Sequence, residues 1–428
     1  MSGIADQLAG MRRFLRGRAG RCVLRNAAAL SIAQAATYIL PLIVLPYTAM
    51  VLGPRNFGLV ALTQAAVQYS TLITNFGFSY AATREAALSH ARNEGLADIV
   101  IHVWAAKALL MLVCLAASIA CFAVFPSLRP ELGAYLCGFL AVVGNVFYLD
   151  WFFQAIEEMK WITIANVVPK LILTPLIFVF VKRPRDYVFV ILIQSLAYLV
   201  SGIACAILAW RRLGFPRTRP NVGGILAQYR SGWRTFAASV CTNFYTATNT
   251  VLLGLLTNAT VVGYYSAAQR LIAGIQSLLS PVSQALYPHF CKTFQADPHR
   301  ASAQLKRVLA AVFYVTLLGA CVASLVAPRV VPLYFGPRFA NSVAVIRVLV
   351  FSVWAVAINT VLGLQGLIAA GLHTSFLRVV GGAALVNLAV APVAIHAGSG
   401  IGLAMFTVLL EIAIAVIEYR ILRGKAVL

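Results

Sequence analysis

The sequence predicts an all-α integral membrane protein with twelve transmembrane helices. Three observations carry that prediction. Of the 428 residues, 61% are hydrophobic and 11% are charged, with a mean hydropathy of +0.86. Soluble domains carry about 25% charged residues. Residues 26–82 contain one charge, Arg55, inside the break Gly53-Pro54-Arg55-Asn56. Each side of that break exceeds the roughly 20 apolar residues that cross a bilayer. The net charge of +22 is concentrated between apolar runs. That placement follows the positive-inside rule, not a nucleic-acid surface.

Residues 1–25 place Ile4, Leu8, Met11 and Leu15 at helical spacing among six arginines, Arg25 the last. They read either as a basic amphipathic helix on the cytoplasmic surface or as a basic tail that only sets topology. The stretch lacks the cleavage pattern of a signal peptide. Spans are expected near 26–52, 57–82, 97–125, 131–155, 160–181, 187–210, 232–257, 261–290, 304–327, 341–370, 375–396 and 400–422. The longest connection, 211–231, is basic and contains Pro216, Pro220 and Gly223-Gly224. It separates an N-terminal lobe, 26–210, from a C-terminal lobe, 232–428, with six spans each. No loop is long enough to form a soluble catalytic domain.

With both termini cytoplasmic, 23 Lys and Arg fall inside and 7 outside. Three of the outside cations crowd one loop, Lys182–Asp186. The lobes also echo each other. Tyr47-Thr48-Ala49 precedes Leu52-Gly53 and Gly58, while Tyr245-Thr246-Ala247 precedes Leu253-Gly254 and Gly263. An even number of spans per lobe makes such a repeat parallel, about an axis along the membrane normal.

Four cations remain inside spans: Lys107, Lys170, Arg270 and Arg347. Each costs about 2.5–3.5 kcal/mol at a helix centre and normally faces a partner charge or a wet cavity. Asp150 and Lys170 lie at similar depth on consecutive spans, so mutual neutralisation is one reading. Arg347 is near a span end, where snorkelling is the alternative to a cavity role. Glu411 and Glu418 are seven apart on one helix face, Glu418 close enough to the cytoplasmic end to reach water. Lys107 and Arg270 have no evident local partner and are the leading cavity candidates. A cationic cavity attracts an anion, and guanidinium suits phosphate because it bonds two oxygens at once.

Pro41 and Pro46, Pro169 and Pro175, and Pro281 and Pro288 interrupt spans one, five and eight. Each permits a kink. Trp151 and Trp161 flank the fourth loop as interfacial anchors would. The eight cysteines and six histidines show no metal-ligand spacing, so neither a metal nor another cofactor is expected.

Three stretches then carry a resemblance. LPYTAMVLGPRNFGL with NFGFSYAATRE, WFFQAIEEMKWITIANVVPKLI, and VVGYYSAAQRL with SPVSQALYPHF resemble Wzx-type oligosaccharide flippases. These are the polysaccharide transporters of the multidrug/oligosaccharidyl-lipid/polysaccharide (MOP) exporter superfamily. The resemblance implies two six-helix lobes around a central cavity, a MATE-like fold, with alternating access. It implies translocation of undecaprenyl-diphosphate-linked oligosaccharide units across a bacterial inner membrane, for O-antigen, capsule or exopolysaccharide. Partners would be that lipid-linked sugar, anionic membrane lipids, and a polymerase and chain-length regulator of the same pathway. By position, Arg270 is the firmest site residue, with Arg25 and Arg84 next. Lys107, Lys170 and Arg347 complete the expected cationic set, and Asp150 and Glu411 are the expected counter-charge or coupling acids.

Two other classes compete. A drug or cation antiporter of the same superfamily would need intramembrane carboxylates in its cavity. A membrane polymerase, ligase or acyltransferase would need a large outside loop with catalytic residues, and the outside loops here are short.

Overall fold

The computed structural model describes the backbone of residues 18–92, 95–213, 219–246, 248–277, 279–425 and 427–428, with side chains from Leu42 onward except at a few positions. The expectations for residues 1–17 and for the Arg25 side chain lie outside these. In chain order the helices are α1 (Arg18–Asn75), α2 (Phe78–Arg92), α3 (Leu96–Val124), α4 (Leu132–Phe147), α5 (Asp150–Ala155), α6 (Lys160–Leu173), α7 (Leu176–Phe180) and α8 (Tyr187–Leu213). After the linker come α9 (Val222–Thr246), α10 (Thr248–Leu256), α11 (Ala259–Ser277), α12 (Ser280–Ala296), α13 (Pro298–Phe335), α14 (Ser342–Leu349), α15 (Phe351–Thr360), a π-helical segment (Val361–Ile368) and α16 (His373–Gly424).

Among the described residues, seven helical stretches are long and apolar enough to cross a membrane. The protein is a multi-pass membrane protein. Two long helices bend where the sequence places turns. In α1, Gly53 adopts φ 70°, ψ 172°, which glycine reaches without penalty. In α16 the chain breaks at Gly398 and Ser399.

Proline acts where it opens a new helix. The fifth span breaks at Thr174-Pro175, between α6 and α7, and the eighth breaks just before Ser280-Pro281. Proline at a first helical position costs no hydrogen bond. Pro46 and Pro288 lie inside helices that continue through them. The fourth span breaks with no proline at all, at Tyr148-Leu149. The second half of the expected linker is helical: α9 begins at Val222, with Asn221 Oδ1 accepting from Gly224 N at 2.6 Å.

The chain forms two compact units, each with its own apolar core. One comprises Val67–Phe180 and Ile191–Ser239 together with residues 18–41; the other comprises Leu42–Ala66, Val181–Val190 and Val240–Leu428. In the first, Phe78, Trp151, Phe152 and Phe153 are almost fully buried together. Trp151, expected at the membrane interface, is therefore a core residue. Trp161 keeps a polar contact, donating from Nε1 to Glu158 Oε2 at 3.0 Å.

The loops gather by parity. At one end of the first unit, Gln228 bonds Glu85 (3.0 Å), Asn221 N donates to His102 Nε2 (3.3 Å) and Arg212 pairs with Glu158 (2.9 Å). These join the second, fourth and sixth connections. In the second unit, Asn56 Nδ2 donates to Pro184 O (2.8 Å) and Tyr47 to Val181 O (2.7 Å). Arg338 Nη1 stands 3.8 Å from the position of a Cβ on Gly53. The first, fifth and ninth connections therefore share one end, as alternating spans require. The crowded 182–186 loop is ordered by Asp186, whose Oδ2 accepts from Lys182 N and Arg183 N at 3.0 and 2.8 Å.

Candidate functional site

In the second unit the first hairpin crosses α11 at two glycines. A Cβ on Gly58 would overlap the Ala259 carbonyl oxygen, and one on Gly263 would overlap the Pro54 carbonyl oxygen. Small residues let transmembrane backbones approach this closely. These are the glycines that correspond in the internal repeat.

The crossing positions Arg270, two turns further along α11. Its guanidinium donates to Gln64 Oε1 and lies over the Phe57 ring, 5.1 Å from the centroid. Among the described residues it forms no ion pair. Guanidinium carries five N–H donors. Held by a neutral amide and a ring, Arg270 keeps its full charge and spare donors.

A cavity of about 520 Å³ lies within the same unit, between α11, α15, the π-helical segment and both halves of α16. Its polar lining includes Asn249, Gln269, Gln276, Asn359, Glu411 and Glu418. Asn359 Nδ2 donates to Glu411 Oε2 at 2.6 Å and to its carbonyl at 3.0 Å. Glu418 is 1% exposed, and its Oε2 has no hydrogen-bond partner among the described residues. Glu411 and Glu418 do share one face, but Glu418 does not reach water as expected. It is enclosed because Phe376 and the π-helical turn at Gly363 pack over it: a Cβ there would stand 3.0 Å from Glu418 Oε1 and 2.9 Å from Phe376. π-Helical turns recur at functional sites. This cavity carries carboxylates and amides, not the cations expected of a cavity, and Arg270 is not in its lining.

In the first unit, Lys107 has the partners that sequence reading missed. It is 1% exposed, and its Nζ donates to Asn145 O at 3.3 Å. Asp150 interacts with it electrostatically, and Cys205 less so. The break in the fourth span explains this. Asn145 is in the last turn of α4, where its carbonyl accepts from Tyr148 N at 3.3 Å as well as from Lys107, and Asp150 opens α5. A cation at a helix C-terminus and an acid at an N-terminus both complement the backbone dipoles. Leu149 N, also freed by the break, donates to Cys205 Sγ at 3.4 Å. Lys107 is thus a buried structural cation, not a cavity wall.

Lys170 does not pair with Asp150. Its Nζ lies 4.9 Å from the Tyr198 ring centroid. Arg347 is exposed and donates from Nε to Ser324 O at 3.3 Å, as a snorkelling side chain does. Arg84 is exposed on α2. Cys114, Cys121, Cys137, Cys205, Cys291 and Cys321 are free thiols. Glu418, Asn359 and the amides around them were not singled out as site residues. The signal was present in the seven-residue spacing of the two acids.

Comparison with known proteins agrees with this architecture. A family model described as polysaccharide biosynthesis protein matches residues 23–294. A protein of Escherichia coli strain K12 named "Putative O-antigen transporter" is 26% identical over 85% of this chain and 88% of its own length. Among solved structures, the lipid II flippase MurJ in an inward closed conformation aligns with a TM-score of 0.70, at 11% identity, over 94% of this chain and 87% of its own. An inward-facing multidrug resistance MATE family transporter of the MOP superfamily aligns with a TM-score of 0.63, at 15% identity, over 94% of this chain and 98% of its own. The fold is of the MOP type, and the reading as a transporter and not an enzyme is borne out. So is the resemblance to oligosaccharide flippases: the chain belongs to the polysaccharide biosynthesis protein family.

Proposed function

We propose that this protein is a flippase for undecaprenyl-diphosphate-linked oligosaccharide units, moving them from the cytoplasmic to the periplasmic leaflet of a bacterial inner membrane by alternating access. Twelve spans in two six-helix lobes, 26–210 and 232–428, joined by the basic 211–231 connection, and cytoplasmic termini belong to this reading. So do a polymerase and chain-length regulator as neighbours. The observation that carries it is Arg270. An arginine inside a span, held among the described residues by Gln64 and Phe57, retains the charge and donors that a diphosphate engages. Arg25, Arg84, Lys170 and Arg347 would serve the same head group at the edges of its path. Glu411 is the proposed coupling acid, and Asp150 the counter-charge of Lys107.

The test is transport of labelled lipid-linked sugar in proteoliposomes. Arg270→Ala removes a charge-assisted contact of about 1.5–3 kcal/mol, so transport should fall about 10- to 100-fold. Arg270→Lys keeps the charge but not the fork and should recover only part. Undiminished transport by Arg270→Ala would remove this site.

The carboxylates at Glu411 and Glu418 favour a second reading, a cation or drug antiporter. Efflux of a cationic dye by the same proteoliposomes, with no sugar-lipid transport, would select it.

A further inference from the structure

The hairpin of α16 carries a groove of about 670 Å³ on its own surface. Because the helix folds back at Gly398-Ser399, its first and last turns lie at the same end. Arg378 and Lys425 sit there, both exposed, at the mouth of the groove. Neither forms an ion pair among the described residues. Beyond them the walls are apolar, and Gly382, Ala383 and Ala413 keep the floor low. Gly382 has no atom within 4 Å of its Cβ position. The groove follows the two strands of the hairpin from 375 to 386 and from 410 to 425. At 1.5 Å per residue these are about 17 and 22 Å, a little more than half of a hydrocarbon core about 30 Å thick. Ala383 and Ile414 also line the inner cavity that holds Glu411 and Glu418. A single layer of small and apolar side chains therefore separates the two spaces.

We propose that this groove binds a single-chain lipid diphosphate, its head on Arg378 and Lys425 and its hydrocarbon chain along Gly382, Ala383 and Ala413. Charge complementarity selects a multiply anionic head at the cationic mouth. No carboxylate lines the groove to oppose it. The slot runs between the two arms of one helical hairpin and is about one leaflet long. This inference rests on the flippase reading for its biological sense: the groove would hold the carrier lipid of the cargo beside the transport path.

Photoactivatable undecaprenyl diphosphate, without sugar, added to the full chain in phosphatidylcholine nanodiscs tests it. Crosslinks are expected within 379–386 and 410–421. Each surface cation contributes about a fivefold preference, so Arg378→Gln with Lys425→Gln should cut labelling about 25-fold. Arg378→Lys with Lys425→Arg should preserve it. Gly382→Leu with Ala413→Leu fills the groove, leaves both charges, and should also abolish labelling. Crosslinks elsewhere, labelling that survives both losses, or equal competition by phosphatidylglycerol would overturn the proposal. Labelling in a chain that transports no sugar-bearing lipid would refute the flippase reading and leave the groove standing. Transport without labelling would do the reverse.

Discussion

Alanine at Gly58 or Gly263 tests the crossing that holds Arg270 in place. A methyl on Gly58 would overlap the Ala259 carbonyl oxygen and stand 2.8 Å from Gly263 N; one on Gly263 would overlap the Pro54 carbonyl and stand 2.7 Å from its carbon. All of these are backbone atoms, so no rotamer change relieves the contact. Carbon contacts settle at about 3.5–4.0 Å, so the helices must part by about 2 Å. Overpacking of this kind costs about 1–3 kcal/mol. Alanine returns up to about 1 kcal/mol of helix propensity, leaving a net loss of up to about 2 kcal/mol for either variant. The two should not add, because helices already separated for one methyl accommodate the second more easily. Gly319→Ala, inside α13 with open space around its Cβ position, is the control and should be neutral or stabilising. Thermal unfolding of the detergent-purified variants, followed by transport, reads both effects. If Gly58→Ala melts with the wild type while Gly319→Ala behaves as stated, these helices do not cross at the two glycines.

The remaining predictions concern the polar contacts within each unit. Lys107→Met removes the charged hydrogen bond to the Asn145 carbonyl and the field at Asp150 and should cost about 1.5–3 kcal/mol; adding Asp150→Asn should recover part of that in a thermal-unfolding cycle. Glu411→Gln preserves an acceptor for Asn359 Nδ2 and should leave the melting temperature within a few degrees while abolishing ion-driven transport; retained driving-force dependence would dismiss Glu411 as the coupling acid. At the linker, Gly224→Ala pushes a methyl into the His102 ring. The Asn221–His102 bond should be lost at about 1 kcal/mol, and limited trypsinolysis at Arg219 should quicken about fivefold.

Much of the fold was legible because membrane spans announce themselves by length and charge alone. The boundaries of α3 and α8 fall within a few residues of expectation, since charged or basic residues mark their ends. The breaks were less legible. Pro175 and Pro281 start new helices while Pro46 and Pro288 do not, and the sequence offers nothing to separate the cases. The fourth span breaks at Tyr148-Leu149 without any breaker residue, because tertiary partners, Cys205 and Lys107, satisfy the freed backbone. Trp151 was misread for a related reason. It sits beside charged neighbours in sequence, yet the break turns it into the aromatic core.

Lys107 and Arg270 gave the same signal, a lone cation in an apolar run, and the structure gives them different surroundings. The difference lies in what surrounds each. Lys107 meets the carbonyl end of one helix and the acid that opens the next, so its charge is consumed locally. Among the described residues Arg270 meets neutral groups, Gln64 and Phe57. A hydrogen bond to a charged group contributes about 1.5–3 kcal/mol, and a cation over an aromatic face about 0.5–2 kcal/mol. Together they offset the roughly 2.5–3.5 kcal/mol that an arginine costs in the membrane. Gln64 and Phe57 are thus sufficient to keep Arg270 in place without an acid. An acid would neutralise the charge, whereas an amide and a ring stabilise it and leave its field intact. That is the arrangement the proposed role of Arg270 toward a reversibly bound anion requires.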